Sequence, residues 1–512
     1  MTRILLRNGV IHTGLASGEP VSAMAVEGGR IVWTGTDPDA FASLDEVVDL
    51  EGRLVTPAFV DSHVHVVETG EQILGLDLAG LSSRDAVLEN VAAYATGLGP
   101  EDLVLAQGWD ETLWPDPTLP TAAELDRASG GRKVYLNRID GHSAVVSTAL
   151  MAQLPGIAGL PGWAADGRVE REALRALLPL LTDLTPAGHA ERGARAALRS
   201  MASMGIGAFH DNAGPAIGPE SDLMAVQTEA TAAGLHGTYY WGAHLGFGDL
   251  DRLGDISGLA GDLSADGSIG SRSAALTSDY ADLAGHRGHA YLDPGQLAEH
   301  IIGCTRRGIQ AGFHCIGDQA IDNIAIAFRL AEAELGAEAL RIRRHRLEHC
   351  ELPSPMAIKT FTDLGVIASV QPMFDGLWGG PDRMYAARLG ERWQEMNPFR
   401  TLLDAGVRLA FGSDSPVTPL DPWTALRAAV HHRTHGQGIT PAEAFAAHTV
   451  GGWHAAGIDD AGTLATGQRA TYAVWDRTAF PDLTSSDVAD VITPCLQTVV
   501  DSRTVFEKEG VR

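Results

Sequence analysis

The sequence predicts an α/β fold: a (β/α)8 TIM-like barrel with a small β-sandwich domain built from both chain termini and a cap insertion over the barrel mouth. Three observations carry this. Strand-like apolar runs alternate with Ala-, Leu- and Arg-rich helical stretches through the middle of the chain, and that alternation implies a parallel sheet wrapped by helices. Short strands punctuated by glycine turns occupy both ends. A length of 512 residues suits a barrel of roughly 250 to 400 residues plus an accessory unit.

In chain order, residues 1–57 read as the first part of the sandwich, with strands at 4–6, 23–26 and 31–33 and turns at Asn8-Gly9 and Gly28-Gly29. A β-meander this small needs another layer to cover its apolar face. That layer is expected from 463–512, where Tyr472-Ala473-Val474-Trp475, Val499-Val500 and Val505-Phe506 are strand-like. The barrel is assigned to 58–462, with strands at 58–65, 207–211, 310–315, 367–371 and 408–413 and helices at 194–204, 294–307, 320–335 and 423–431. Residues 70–140 are rich in Pro, Trp and acidic side chains, including GWDETLWPDPTLP, and do not fit one compact βα repeat. They are read as an elaborated cap.

Composition narrows the function. Hydrophobic residues make up 45% and charged residues 20%, as in ordinary globular proteins. The formal net charge of −27 argues against a nucleic-acid or anionic-membrane partner, whose surfaces demand clustered Lys and Arg. No run approaches the length of a membrane span, and the N-terminus lacks a signal-peptide core, so a cytoplasmic location is expected. Cys304, Cys315, Cys350 and Cys495 form no Cys-x-x-Cys pair and are expected to be buried, reduced thiols.

The chemistry begins at Asp61-Ser62-His63-Val64-His65, directly after an apolar run. Alternate residues of a strand share a face, so His63 and His65 can bind one metal ion together. Alone, His-x-His is a weak signal. His314, His349 and Asp414 strengthen it, because each closes a strand-like run, and the carboxyl ends of barrel strands are where such active sites are built. The spacing of 35 residues from His314 to His349 suits one βα repeat, and the 65 residues to Asp414 suit two. Four histidines and a carboxylate suit zinc, with iron or manganese as alternatives.

These motifs resemble the amidohydrolase superfamily, and within it the amidohydrolase 3 or YtcJ-like group, to which N-substituted formamide deformylase is related. The resemblance runs through VTPAFVDSHVH at the first strand, RIDGH at 138–142, ADGSIGSR at 265–272, HCIGD at 314–318, RLEH at 346–349, GSDSPV at 412–417 and GTLATG at 462–467. It implies a metal held by His63, His65, the histidines of strands five and six, and Asp414. Many superfamily members also bridge two metals with a carboxylated lysine on strand four. This chain has Asp262 where relatives show that lysine, and its three lysines, Lys133, Lys359 and Lys508, lie elsewhere. Two arrangements stay open. One ion held by His63, His65, His314 and Asp414, with His349 on the water or substrate, is favoured; two ions bridged by Asp262 require a short side chain to reach far.

The expected reaction is hydrolysis of a small molecule's amide, N-formyl, carbamate or cyclic amide bond by a metal-activated water, with Asp414 moving the proton and His349 and His142 stabilising the oxyanion. Deamination of an amino-substituted heterocycle is the alternative, and a non-catalytic scaffold that has kept the barrel is the alternative of another class. Asp318, Glu348 and His210 are candidates to support the ligands. Trp109, Trp114, Arg272, Phe374 and Trp378 are candidates to line the pocket, with a satellite core inside the cap as the other reading of the tryptophans. Oligomeric state stays open, a homodimer being the assembly that analogy suggests.

Overall fold

A computed structural model describes residues 2–14, 18–37, 44–182, 184–246 and 250–510. Eight parallel strands follow one another in chain order around the barrel: Phe59–Val64, Ile206–Ala213, His236–Trp241, Gly258–Leu259, Gln310–Cys315, Arg346–His349, Ile367–Val370 and Leu409–Phe411. The first and last strands meet where the Asp414 amide donates to the His63 carbonyl at 2.7 Å and the His65 amide to the Ser415 carbonyl at 2.9 Å. Gly412 permits that closeness, since a Cβ there would lie 2.4 Å from the His63 nitrogen. The strands are buried throughout, as expected when side chains fill one face and helices cover the other. Helices such as His189–Ser203, Pro294–Arg307 and Asp318–Leu335 turn their apolar stripes onto this wall.

Both chain ends form the sandwich. One sheet pairs Arg30–Gly35, Ala23–Glu27, Arg3–Arg7 and Glu46–Asp49. The other runs through Val10–Ile11, Leu54–Pro57, Tyr472–Trp475, Cys495–Val500 and Arg503–Glu507. Leu6, Met24, Val26, Val55, Tyr472 and Val474 share one core between them, so each sheet supplies the cover the other lacks. Trp475 ties this unit to the barrel. Its indole N–H donates to Thr56 Oγ1 at 2.9 Å and its ring packs on Trp423.

Between the first two barrel strands the chain builds a separate layered unit. Its sheet runs Arg168–Glu170, Ser143–Val146, Val134–Arg138, Val104–Trp109 and Leu76–Asp77. Helices Arg84–Ala95 and Ala122–Ser129 cover one core, and Arg171–Thr182 covers a second that contains Tyr135, Val146 and Val169. Ala122–Ser129 starts on a capping box, Thr121 with Glu124, and ends on Gly130 with φ 66°, a left-handed stop that glycine takes without strain. Among the described residues no helix is long and apolar enough to cross a membrane.

Candidate metal centre

His63, His65, His314, His349 and Asp414 converge at the carboxyl ends of the barrel strands, and Asp262 stands among them. The Nε2 atoms of His63 and His65 each lie 3.1 Å from Asp414 Oδ1. Asp262 Oδ2 is 3.2 Å from His65 Nε2, while its Oδ1 is 3.7 Å from His314 Nδ1 and 3.9 Å from His349 Nε2. Asp262 thus sets Oδ2 toward His65 and Oδ1 within 3.9 Å of His63, His314 and His349.

Partners behind the ring fix which nitrogen faces the centre. His63 Nδ1–H donates to Glu348 at 2.8 Å, His65 Nδ1–H to the Asn212 carbonyl at 3.1 Å and His349 Nδ1–H to Gln371 Oε1 at 2.8 Å. With a proton on each Nδ1, each Nε2 presents a lone pair inward. Glu348 is itself held by Arg346, which donates from Nε at 2.5 Å and from Nη2 at 2.9 Å. Asp61 accepts from the Ser413 and His63 amides at 2.9 and 3.2 Å and so locks the first and eighth strand ends together. Asp414 and His349 adopt φ of 55° and 68°, a region costly for non-glycine residues that persists where the surroundings over-determine it.

With the Nδ1 protons committed outward, the atoms that face the centre are lone pairs of neutral imidazoles and carboxylates. His63 Nε2, Asp262 Oδ1 and Asp414 Oδ1 are buried without a hydrogen-bond partner, a condition that costs free energy unless a cation satisfies it. Burial alone would lower the His63 pKa, yet Asp414, Glu348 and Asp262 outweigh it and raise it to about 10. Burial would likewise raise Asp414, but His63 and His65 hold its carboxyl far below the usual range. His349 moves the other way, down to about 3 through burial and then through His314. A site of four histidines and two carboxylates, which raises the His63 pKa this strongly, fits a divalent metal.

A cavity of about 120 Å³ opens over the cluster, walled by His142, Arg138, Arg175 and Tyr291 as well as the ligands. His142 lies with its ring 5.1 Å from that of His314, and burial, then His314, lowers its pKa to about 4. Phe374 stacks on His349 at 5.7 Å and lines a small side cavity with Trp378, whose N–H donates to Asp110.

Other expected residues sit elsewhere. Trp109 and Trp114 are buried in the cap core, their N–H groups bonded to the Leu136 and Leu81 carbonyls, and neither lines these cavities. The satellite-core reading holds for them because the cap has its own sheet to cover. Arg272 is turned away into a bidentate pair with Asp282. Asp318 accepts from the Thr277 amide at 2.9 Å and anchors a loop, not a ligand. His210 accepts from Arg346 at 2.8 Å beneath the rim, and its side chain reaches the cluster through that arginine.

Several contributors escaped the sequence reading. Asn212 and Gln371, which orient His65 and His349, follow strand runs but belong to no motif singled out there. Asp266, inside ADGSIGSR, accepts from the Ala275, Ile316 and Gly317 amides, so that motif shapes the loop beside His314. Ser268 and Ser271 of the same motif donate to Asp140 of RIDGH at 2.7 and 2.8 Å, clasping cap to barrel.

The family model for the Amidohydrolase family matches residues 46–506 of this chain. The chain is 27% identical to the putative amidohydrolase YtcJ of Bacillus subtilis (strain 168), over 99% of this chain and 100% of that protein. It is 24% identical to the N-substituted formamide deformylase of Arthrobacter pascens, over 100% and 99%. An uncharacterized metal-dependent hydrolase from Pyrococcus furiosus superposes with a TM-score of 0.72 at 26% identity, covering 93% of this chain and 99% of that one.

Proposed function

Because the chain belongs to the amidohydrolase family, we propose that it is a metal-dependent hydrolase cleaving an amide, N-formyl, carbamate or cyclic amide C–N bond of a small molecule. The observation that carries this is the buried cluster of converging acceptors, unsatisfied by any protein donor. Two divalent cations fit better than one. His63, His65 and Asp414 would hold the first, His314 and His349 the second, and Asp262, with Oδ2 near His65 and Oδ1 near His63, His314 and His349, would be shared between them. Zinc suits these nitrogen and oxygen donors, and iron and manganese suit them as well. When bound, such cations lower the pKa of a coordinated water and polarise the scissile carbonyl.

The chain's own groups then carry the protons. Asp414 Oδ1 is ionised and faces the centre of the site, so it can take a proton from the attacking water and return it to the leaving nitrogen. His142, kept neutral, offers an N–H to the developing oxyanion from the cavity wall. Phe374 and Trp378 keep the side of the site next to His349 apolar.

Metal quantification of purified protein, coupled to turnover of N-formyl, N-acyl, carbamate, cyclic amide and aminoheterocycle compounds, tests the reading. Expected are about two ions per chain, release of amine, and a drop toward about one ion per chain in Asp262→Asn. Ammonia release from the aminoheterocycles alone would shift the reading to a deaminase. Metal-free protein inert toward every compound after reconstitution would sink it.

A further inference from the structure

A second and larger cavity, of about 310 Å³, adjoins the metal centre. The two share His65, Glu68, Gln107, Tyr135 and Asn137 as wall, so they lie side by side. Their chemistry differs. The cavity over the metal centre carries Arg138, Arg171 and Arg175 beside its carboxylates, whereas the second is walled by Glu68, Glu71, Glu191, Asp211 and Asp222 and, among the described residues, by no lysine or arginine. Within its wall His189 donates to Glu71 at 2.6 Å, Glu68 lies 3.6 Å from His65 and Asp211 accepts the Val66 amide at 3.1 Å, whereas Asp222 meets no cationic side chain of the wall within ion-pair distance among the described residues.

An independent observation shows that this chamber awaits a ligand. Tyr135 is 6% exposed, lines both cavities, and its hydroxyl has no hydrogen-bond partner. Asn137 Oδ1 and Asn212 Oδ1, on the same walls, are also buried and unpaired. Buried polar groups are nearly always satisfied in native proteins; the asparagine oxygens lack a donor, and the Tyr135 hydroxyl is free to accept one. Burial, and then the like charge of Glu71, pushes the Asp222 carboxyl up to about 6, as in a negative cluster short of a counter-charge.

We infer that this chamber binds the cationic end of the substrate, an ammonium or guanidinium group carried on a spacer away from the bond that is cleaved at the metal centre. The inference rests on the hydrolase reading only for which bond is cut. Glu68 and Glu71 stand one turn apart on the helix Val66–Leu74 that begins directly after His65. Six residues of helical rise place Glu71 roughly 9 Å along the axis from His65, a distance that a chain of several methylenes spans. Asp222 meets the charge at the far end, with Glu71 beside it held by His189, and the Tyr135 hydroxyl and the asparagine oxygens accept its remaining N–H groups.

The test uses the metal-loaded full chain. Three formamides of matched length are compared by kcat/KM: monoformyl-1,6-diaminohexane, N-formylhexylamine and N-formyl-6-aminohexanoate. Direct binding of n-hexylguanidinium, a cation that does not ligate metals, is measured by calorimetry. The cationic formamide should exceed the neutral one by at least tenfold, the anionic one should be the poorest, and hexylguanidinium should bind. In Glu71→Gln/Asp222→Asn the cationic-to-neutral ratio should fall by at least tenfold, and Tyr135→Phe should weaken hexylguanidinium in the same direction. If no formamide is turned over but hexylguanidinium binds and the double variant loses it, the chamber assignment stands and the hydrolase reading fails. If the neutral formamide is cleaved as well as the cationic one and hexylguanidinium does not bind, the chamber assignment is overturned while the hydrolase stands.

Discussion

At the barrel rim, polar side chains are buried with lone pairs converging on one point; around Arg138 in the cap, equally buried charges pair with one another. Arg138 of the cap is 3% exposed and meets Asp110 at 3.1 Å, Glu111 at 2.8 Å and Asp140 at 2.7 Å. Its charge is answered several times, and Trp378 takes the second oxygen of Asp110. His63 is just as deeply buried, yet its Nε2 faces only carboxylate oxygens and other imidazoles. Burial alone therefore does not mark a functional residue. Unmet demand does, because an interior that leaves acceptors unsatisfied without a bound cation would be unstable.

The comparison breaks most sharply at Asp414. Asp414→Asn keeps the shape but removes the ionised oxygen, and a general acid-base group of this kind contributes on the order of 10²- to 10⁴-fold. The expected loss in kcat is of that size, with the circular dichroism spectrum unchanged. Full activity in this variant would place the rim cluster beside the cap network as mere structure. Glu348→Gln probes the same side from behind: it leaves Arg346 buried against a neutral partner and frees the His63 ring. Breaking such a pair costs about 3–5 kcal/mol, and loosening a ligand's support weakens metal affinity roughly 10- to 100-fold. Urea denaturation and metal titration should show both effects together; a change in stability without a change in metal affinity would mean that Glu348 holds the barrel but not the ligand.

The same contrast explains what could be read from the sequence. A strand fixes the direction of its side chains and a parallel barrel fixes which strand end is functional, so His63, His65, His314, His349 and Asp414 announced themselves by closing apolar runs. The helix predicted at 294–307 matches Pro294–Arg307, where Asp293 and Gln296 form a capping box and Gly308 ends it. Two barrel strands gave no such signal. His236–Trp241 mixes glycine and tyrosine with its apolar residues, and Gly258–Leu259 is two residues long. Asp262 follows that short strand, so no apolar run marks its place at the rim. In the cap no repeat supplies a frame, and aromatic residues that read as pocket walls, Trp109 and Trp114, turned out to fill its own interior.

Trp114→Ala sharpens the comparison from the cap side. Removing a buried tryptophan costs about 3 kcal/mol or more, and here the loss should be local to the layered unit. Hydrogen exchange should speed up in Val104–Trp109 and Val134–Arg138 while Gln310–Cys315 keeps its protection. Equal loss of protection in both would show that cap and barrel unfold as one cooperative body.

The smallest effect lies at the clasp between the two regions. Burial alone would raise the Asp140 carboxyl, but Arg138, His142 and the hydroxyls of Ser268 and Ser271 lower its pKa from 3.8 to about 2. A carboxyl whose folded pKa is depressed adds stability above its unfolded pKa and loses it as pH falls through the folded value. The window is therefore between about pH 4 and pH 2, and the amount is about 2 kcal/mol at most. Because Asp140 joins the cap strand end to the loop of Ser268 and Ser271, that loss should appear first as cap detachment. Pepsin digestion across this window should cut near residues 139–143 before it cuts the barrel, and Asp140→Asn should already be susceptible at pH 4 with a flatter dependence below it. Cleavage that begins in the barrel, or an Asp140→Asn profile identical to the parent, would show that the clasp carries no pH-dependent share of the docking.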